Sequence, residues 1–110
     1  MSIRQHKVET VIKNELANYF LRHASDICMG AMVSVTVVRV TTDLSLARIY
    51  LSFFAGPKKE EVLANINENK RKIRGEIGKF LKNMHKIPEL QFYIDDSLDY
   101  AQKIDELLKK

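Results

Sequence analysis

Met32-Val33-Ser34-Val35-Thr36-Val37-Val38-Arg39-Val40 leaves few folds open to this chain. Its β-branched residues suit a pleated, half-buried surface, so the segment reads as a strand. The alternation slips at Val37-Val38, where the register changes or a bulge intervenes. Thr41-Thr42-Asp43-Leu44 reads as a turn, Asp43 being able to hydrogen-bond nearby backbone. Ser45 to Phe54 then makes a second strand, with Ala47, Ile49, Leu51 and Phe53 on one face and Leu46, Arg48, Tyr50, Ser52 and Phe54 on the other. A connection this short favours an antiparallel hairpin.

Helices and a third strand surround the hairpin. Val8, Val11, Ile12, Leu16, Tyr19 and Phe20 recur at helical spacing and define a helix from about Ile3 to Arg22. Gly56-Pro57 ends the second strand and opens another helix, with proline at its first position and Glu60 and Glu61 at the positive end of its dipole. Val62, Leu63 and Ile66 form its apolar face. The pattern falters at Asn67-Glu68-Asn69-Lys70-Arg71 and resumes with Ile73, Ile77, Phe80, Leu81 and Met84, so two helices meet at a bend near Asn69. Asparagine tolerates the left-handed conformation that such a bend often uses. Pro88 ends the second helix of this pair. Leu90, Phe92 and Ile94 point inward from a third strand, and Asp96 or Ser97 caps a last helix carrying Leu98, Ala101, Ile104, Leu107 and Leu108. The order α-β-β-α-α-β-α is an α+β domain, with helices on one face of a three-stranded sheet.

At 110 residues the chain reads as one domain, residues 1–110. Hydrophobic residues at 45% and charged residues at 29% are an ordinary globular balance. No apolar run approaches the roughly 20 residues of a membrane helix. The start of the chain lacks a signal peptide's apolar core, and Cys28 is the only cysteine, so the expected address is the cytoplasm. The net charge of +4 is unevenly placed. Between Lys70 and Lys86 seven basic residues face one acid, Glu76, whereas Asp95, Asp96, Asp99, Asp105 and Glu106 make the end of the chain acidic. Such a basic stretch suits phosphate, although charge alone equally fits a solvated helix face.

Gly75-Glu76-Ile77-Gly78 has the G-x-x-G spacing of a nucleic-acid backbone clamp. Its glycines fall between Ile73, Ile77 and Phe80-Leu81, which places them inside a helix, where close packing is the simpler role. Glu76 would also put a negative charge against a phosphate. The bend at Asn69-Lys70-Arg71 is the better candidate, because basic side chains there would meet exposed amides at a helix N-terminus.

Several segments together resemble the ribosome-binding factor A family, bacterial assembly factors of the small ribosomal subunit. They are Arg4-Gln5-His6-Lys7-Val8, Val35 to Ala47, Ile73-Arg74-Gly75-Glu76-Ile77-Gly78, Ile87-Pro88-Glu89-Leu90-Gln91-Phe92, Asp95-Asp96-Ser97 and Ile104-Asp105-Glu106-Leu107-Leu108. They cover almost the whole chain in order. The resemblance implies a KH-like, type II fold in which a bent helix-helix unit replaces the G-x-x-G loop. That family usually has Ala-x-Gly at the bend. Here Asn69-Lys70-Arg71 stands there, with Arg71 at the glycine position. Many members also carry a flexible tail beyond the equivalent of Leu108, whose contacts are not expected here. The resemblance further implies binding to 16S rRNA on the immature small subunit, near the neck by the decoding region. It implies help with late maturation of the 16S rRNA 5′ region, importance for growth in the cold, and no catalysis. The alternatives are a generic KH-like domain for single-stranded RNA or DNA, and a basic protein-interaction module.

The expected RNA contacts are Asn69, Lys70, Arg71, Lys72, Arg74, Lys79 and Lys82, followed by Arg4 and Lys7 with His6 beside them. The cations among them would neutralise phosphates rather than read bases. Ile73 and Ile77 mark the buried side of their helix, with Lys70 and Arg74 near it, so the cations cannot all share one face. Arg39 and Arg48 either extend an RNA surface or cross-pair with Asp43. Tyr50 and Tyr93 either offer stacking planes on the open sheet face or are ordinary sheet residues. Catalytic and metal chemistry find no support. Asp95-Asp96 sits at a strand-to-helix junction, His6, His23 and His85 lack ligand spacing, Cys28 shows no activation, and no glycine-rich phosphate loop follows a strand. No cofactor or metal is expected, the RNA-bearing subunit is the expected partner, and with no spare apolar stripe the chain is expected to be a monomer.

Overall fold

The computed structural model describes residues 3–81 and 87–95. Their elements run α1 (Ile3–Arg22), β1 (Met32–Val40), β2 (Leu46–Phe54), α2 (Lys59–Glu68), α3 (Lys70–Gly78) and β3 (Glu89–Ile94). The strands lie in the order β1-β2-β3. β1 and β2 are antiparallel, whereas β3 is parallel to β2, the pairing that a helical crossover makes possible. The expected final helix, with Asp96 and Ser97 as its cap, lies outside the described residues.

The slip in the valine alternation is a β-bulge. The register shifts between Val35 and Val37, so Val33 and Val35 are buried before it and Val38 and Val40 after it. The bulged residue, Thr36, uses its hydroxyl on the carbonyl of Tyr50 (3.2 Å) and the carboxylate of Asp95 (2.6 Å). In the hairpin turn, Asp43 accepts from the hydroxyls of Thr41 and Ser45, each at 2.8 Å, and from the Ser45 amide at 3.2 Å. These bonds hold its carboxyl below the usual value, the Thr41 hydroxyl contributing most. Gly56, after β2, has φ +74°, and a Cβ there would sit 2.9 Å from Ala31 backbone, so no other residue fits without movement.

One face of the sheet meets the helices. Ala47, Ile49, Leu51 and Leu90 are fully buried against Ile12, Leu16, Val62, Ile66 and Ile73. Burying each large aliphatic side chain contributes about 1.5–3 kcal/mol. The stripe of α1 extends through two polar residues. Gln5 Nε2 donates to the carbonyl of Val40 (3.0 Å), and buried Glu9 accepts its amide (2.8 Å). One turn apart, this pair satisfies both backbone groups of the residue that ends edge strand β1.

The helix bend differs from expectation in three respects. Pro57 precedes the α2 N-cap, Lys58, instead of occupying the first helical position. Asn69 is at once the C-cap of α2 and the N-cap of α3, with φ −98° and ψ 10°, which is not the left-handed conformation. α3 ends at Gly78, short of Met84. Lys79, Phe80 and Leu81 continue with amide bonds to the carbonyls three residues back, the tighter winding typical of a helix end. Phe80, expected on the apolar face, is 52% exposed, while Leu81 is buried.

Candidate nucleic-acid interface

Gly75 and Gly78 lie within α3, not in a loop. A Cβ at Gly78 would collide with the Ile87 side chain, whereas one at Gly75 would meet nothing. Close packing therefore accounts for the second glycine alone.

Beside the bend a groove of about 870 Å³ runs between α3 and the first residues of β2 and β3. Lys70, Arg71 and Arg74 line it, facing Leu46 and Gln91, with Glu68 and Glu89 also on its wall. Of the expected contacts, the structure brings these three cations together. Arg74 is already committed: its Nε donates to the Pro88 carbonyl (3.2 Å) and its Nη2 to the Ile87 carbonyl (2.7 Å), fastening α3 to the chain entering β3. Lys70 and Arg71 have no ion pair among the described residues. Arg71 stands in ordinary helical backbone, so arginine meets no strain where the family pattern has glycine.

The other expected contacts fall elsewhere. Asn69 turns its amide back on the Asn65 carbonyl (2.8 Å). Lys72 is exposed away from the groove lining. Lys79 pairs with Glu76 at 3.1 Å, an exposed i,i+3 contact of small energetic value. Lys82 lies outside the described residues, as do His85 and Lys86. Arg4 and Lys7 are exposed on the first turns of α1, which bonds to Val40 of β1, whereas the groove lies at β2 and β3. They do not join the groove. The Asn69 amide at the bend is not exposed for a ligand: it donates to the carbonyls of Asn65 (3.2 Å) and Ile66 (3.1 Å).

The sheet face opposite the helices carries a second set of groups. Arg39 and Arg48 are directly opposed cross-strand partners, both exposed, and Asp43 pairs with neither. Tyr50 and Tyr93 are register partners on the same face and stack with centroids 5.3 Å apart at 26°. Sequence reasoning missed the Arg39–Arg48 opposition. Gln5 and Glu9 were also missed, although their spacing from Ile12 and Leu16 placed two polar residues on the buried stripe.

Other chemistry is thin. Burial pushes the Cys28 thiol up to about 11, so it stays protonated near neutrality. His23 Nδ1 bonds Asp26 at 3.1 Å and its ring stacks on Tyr19, which occupies it structurally. Among the described residues no group of three or more His, Cys, Asp or Glu side chains suits a metal, and no helix is long and apolar enough to cross a membrane.

The architecture is the α+β, KH-like fold. It is similar to the crystal structure of ribosome-binding factor A from Thermus thermophilus, with a TM-score of 0.69 at 20% identity over 82% of this chain and 94% of that one. It is also similar to a solution structure of a Thermotoga maritima protein described as a putative ribosome binding factor A, with a TM-score of 0.56 at 24% identity over 83% of this chain and 82% of that one. A family model described as ribosome-binding factor A matches residues 4–108. The ribosome-binding factor A of Cytophaga hutchinsonii is 37% identical over 99% of this chain and 83% of its own length. That of Christiangramia forsetii is 40% identical over 96% and 82%. This chain belongs to the ribosome-binding factor A family.

Proposed function

We propose that this protein is a ribosome assembly factor that binds immature small subunits through 16S rRNA. It assists late maturation of the 16S rRNA 5′ region, without catalysis and without a cofactor. The carrying observation is family membership across nearly the whole chain. A Thermus thermophilus relative fitted into a map of a 30S complex supports the same partner, with a TM-score of 0.51 at 16% identity over 74% of this chain and 96% of that one. The whole chain acts as one RNA-binding domain, a cytoplasmic monomer whose activity matters most in the cold. Lys70 and Arg71, beside the groove and without an ion pair among the described residues, are its principal phosphate contacts, with Lys72, Arg4 and Lys7 adding weaker, longer-range attraction. Arg74 shapes the groove more than it binds.

The test is sedimentation of the purified protein with a bacterial lysate through a sucrose gradient. Migration with free small subunits, and not with assembled ribosomes, is expected. Absence from small subunits, including immature ones from cold-stressed cells, would refute the proposal.

A further inference from the structure

The open sheet face holds two features that the groove does not explain. Arg39 and Arg48 lie directly opposite each other across β1 and β2, exposed, with no ion pair among the described residues. Like charges in that position repel, and a bound anion relieves the repulsion. In the next row Tyr50 and Tyr93 stack, and Tyr93 is 38% exposed. Arginine beside an accessible aromatic plane matches a phosphate followed by a base.

The two surfaces are connected. Gln91 lines the groove with Lys70 and Arg71, is the register partner of Arg48, and accepts a 2.6 Å hydrogen bond from the Tyr93 hydroxyl. β3 is an edge strand, so a chain leaving the groove reaches the sheet face by crossing one strand. Two acids flank this face, Glu89 at the start of β3 and Asp95 just after its end. Asp95 is held by the Thr36 hydroxyl, and Glu89 lies at the groove. Neither pairs with the arginines.

We infer that the open face is a second subsite for single-stranded RNA, in which Arg39 and Arg48 hold phosphate and a base stacks on Tyr93. This rests on the RNA-binding reading above and extends it from the groove around β3.

The test uses the full chain and two fluorescein-labelled probes, a single-stranded oligoadenylate and an abasic ribose-phosphate chain of equal length. Tyr93→Ala is expected to weaken oligoadenylate binding by about fivefold to a hundredfold and to leave abasic binding unchanged. Tyr93→Phe, which keeps the ring, is expected to bind as the unaltered protein does. Arg48→Gln is expected to weaken both probes and to make the slope of log affinity against log salt shallower by about 0.7. Unchanged oligoadenylate binding by Tyr93→Ala would overturn the inference, and loss of binding on reversing Lys70 and Arg71 would show the groove reading still standing. Failure of the unaltered chain to bind either probe at low salt would remove both. Because Tyr93→Ala also breaks a stacked pair, ultraviolet crosslinking of the unaltered chain to oligoadenylate gives a second readout. A base joined to Tyr50 or Tyr93 supports the subsite, and crosslinks confined to residues 67–74 overturn it.

Discussion

From the helix bend to the end of α3, cations are dense along the chain but partly spent: Arg74 binds two backbone carbonyls and Lys79 binds Glu76. On the open sheet face Arg39 and Arg48 are nine positions apart in sequence, yet they face each other across the hairpin with no ion pair among the described residues. A basic run measures how many cations a segment holds. Availability depends on what each one already touches. By that criterion Lys70 and Arg71 remain at the bend, and a comparable pair stands on the sheet.

The largest expected effect comes from reversing both bend cations. Lys70→Glu with Arg71→Glu places two negative charges on a groove that already carries Glu68 and Glu89. Small-subunit binding is expected to fall by at least about tenfold at moderate salt, with circular dichroism unchanged. Retained binding by a folded variant would contradict the assignment of the bend.

Arg74→Ala and Arg71→Ala separate the two kinds of cation. Removing Arg74 strips two carbonyls of their donor, and denaturant unfolding should show a loss of about 1–3 kcal/mol. Removing Arg71 should leave stability unchanged and make the salt slope shallower by about 0.7. Equal stability effects would erase the distinction.

On the sheet, Arg48→Gln relieves the opposed charges and should raise stability by a few tenths to about 1 kcal/mol. The gain should shrink as salt is added. A loss of stability would contradict the repulsion between the two arginines.

The smallest effect is at the hairpin turn that sets the arginine register. Asp43 has its pKa lowered in the fold, so its contribution is present above the ordinary carboxylate value of 3.8 and is lost as pH falls through the lower folded value. Asp43→Ala should therefore melt below the unaltered protein at neutral pH, with the difference vanishing in acid. A difference independent of pH would assign the effect to backbone conformation alone.

Which parts of this were legible in the sequence follows from the range of the interactions. The valine slip, the turn at Asp43 and the break at Asn69 are local patterns; the turn and the break appear where the residues placed them, and the bulge falls at Thr36, just before the slip read at Val37-Val38. The end of α3 was misread because Phe80 and Leu81 fit helical spacing, while the chain tightens after Gly78 and turns Phe80 to solvent. Arg74 bonds to carbonyls 13 and 14 residues away, which no spacing rule reveals. The Arg39–Arg48 opposition requires Val40 to pair with Ala47, a register closed by the Thr41 amide on the Leu46 carbonyl. For the candidate interface, the basic run marks the bend, but which of its cations other groups hold depends on contacts distant in sequence.

The most direct test of the central claim is the affinity of the full chain for small subunits from cold-stressed cells, measured across salt concentrations. With about four phosphates neutralised, log affinity should fall against log salt with a slope near −3, and the Lys70→Glu, Arg71→Glu protein should be shallower by about 1.4. A slope near zero, or the same slope in both proteins, would contradict the account.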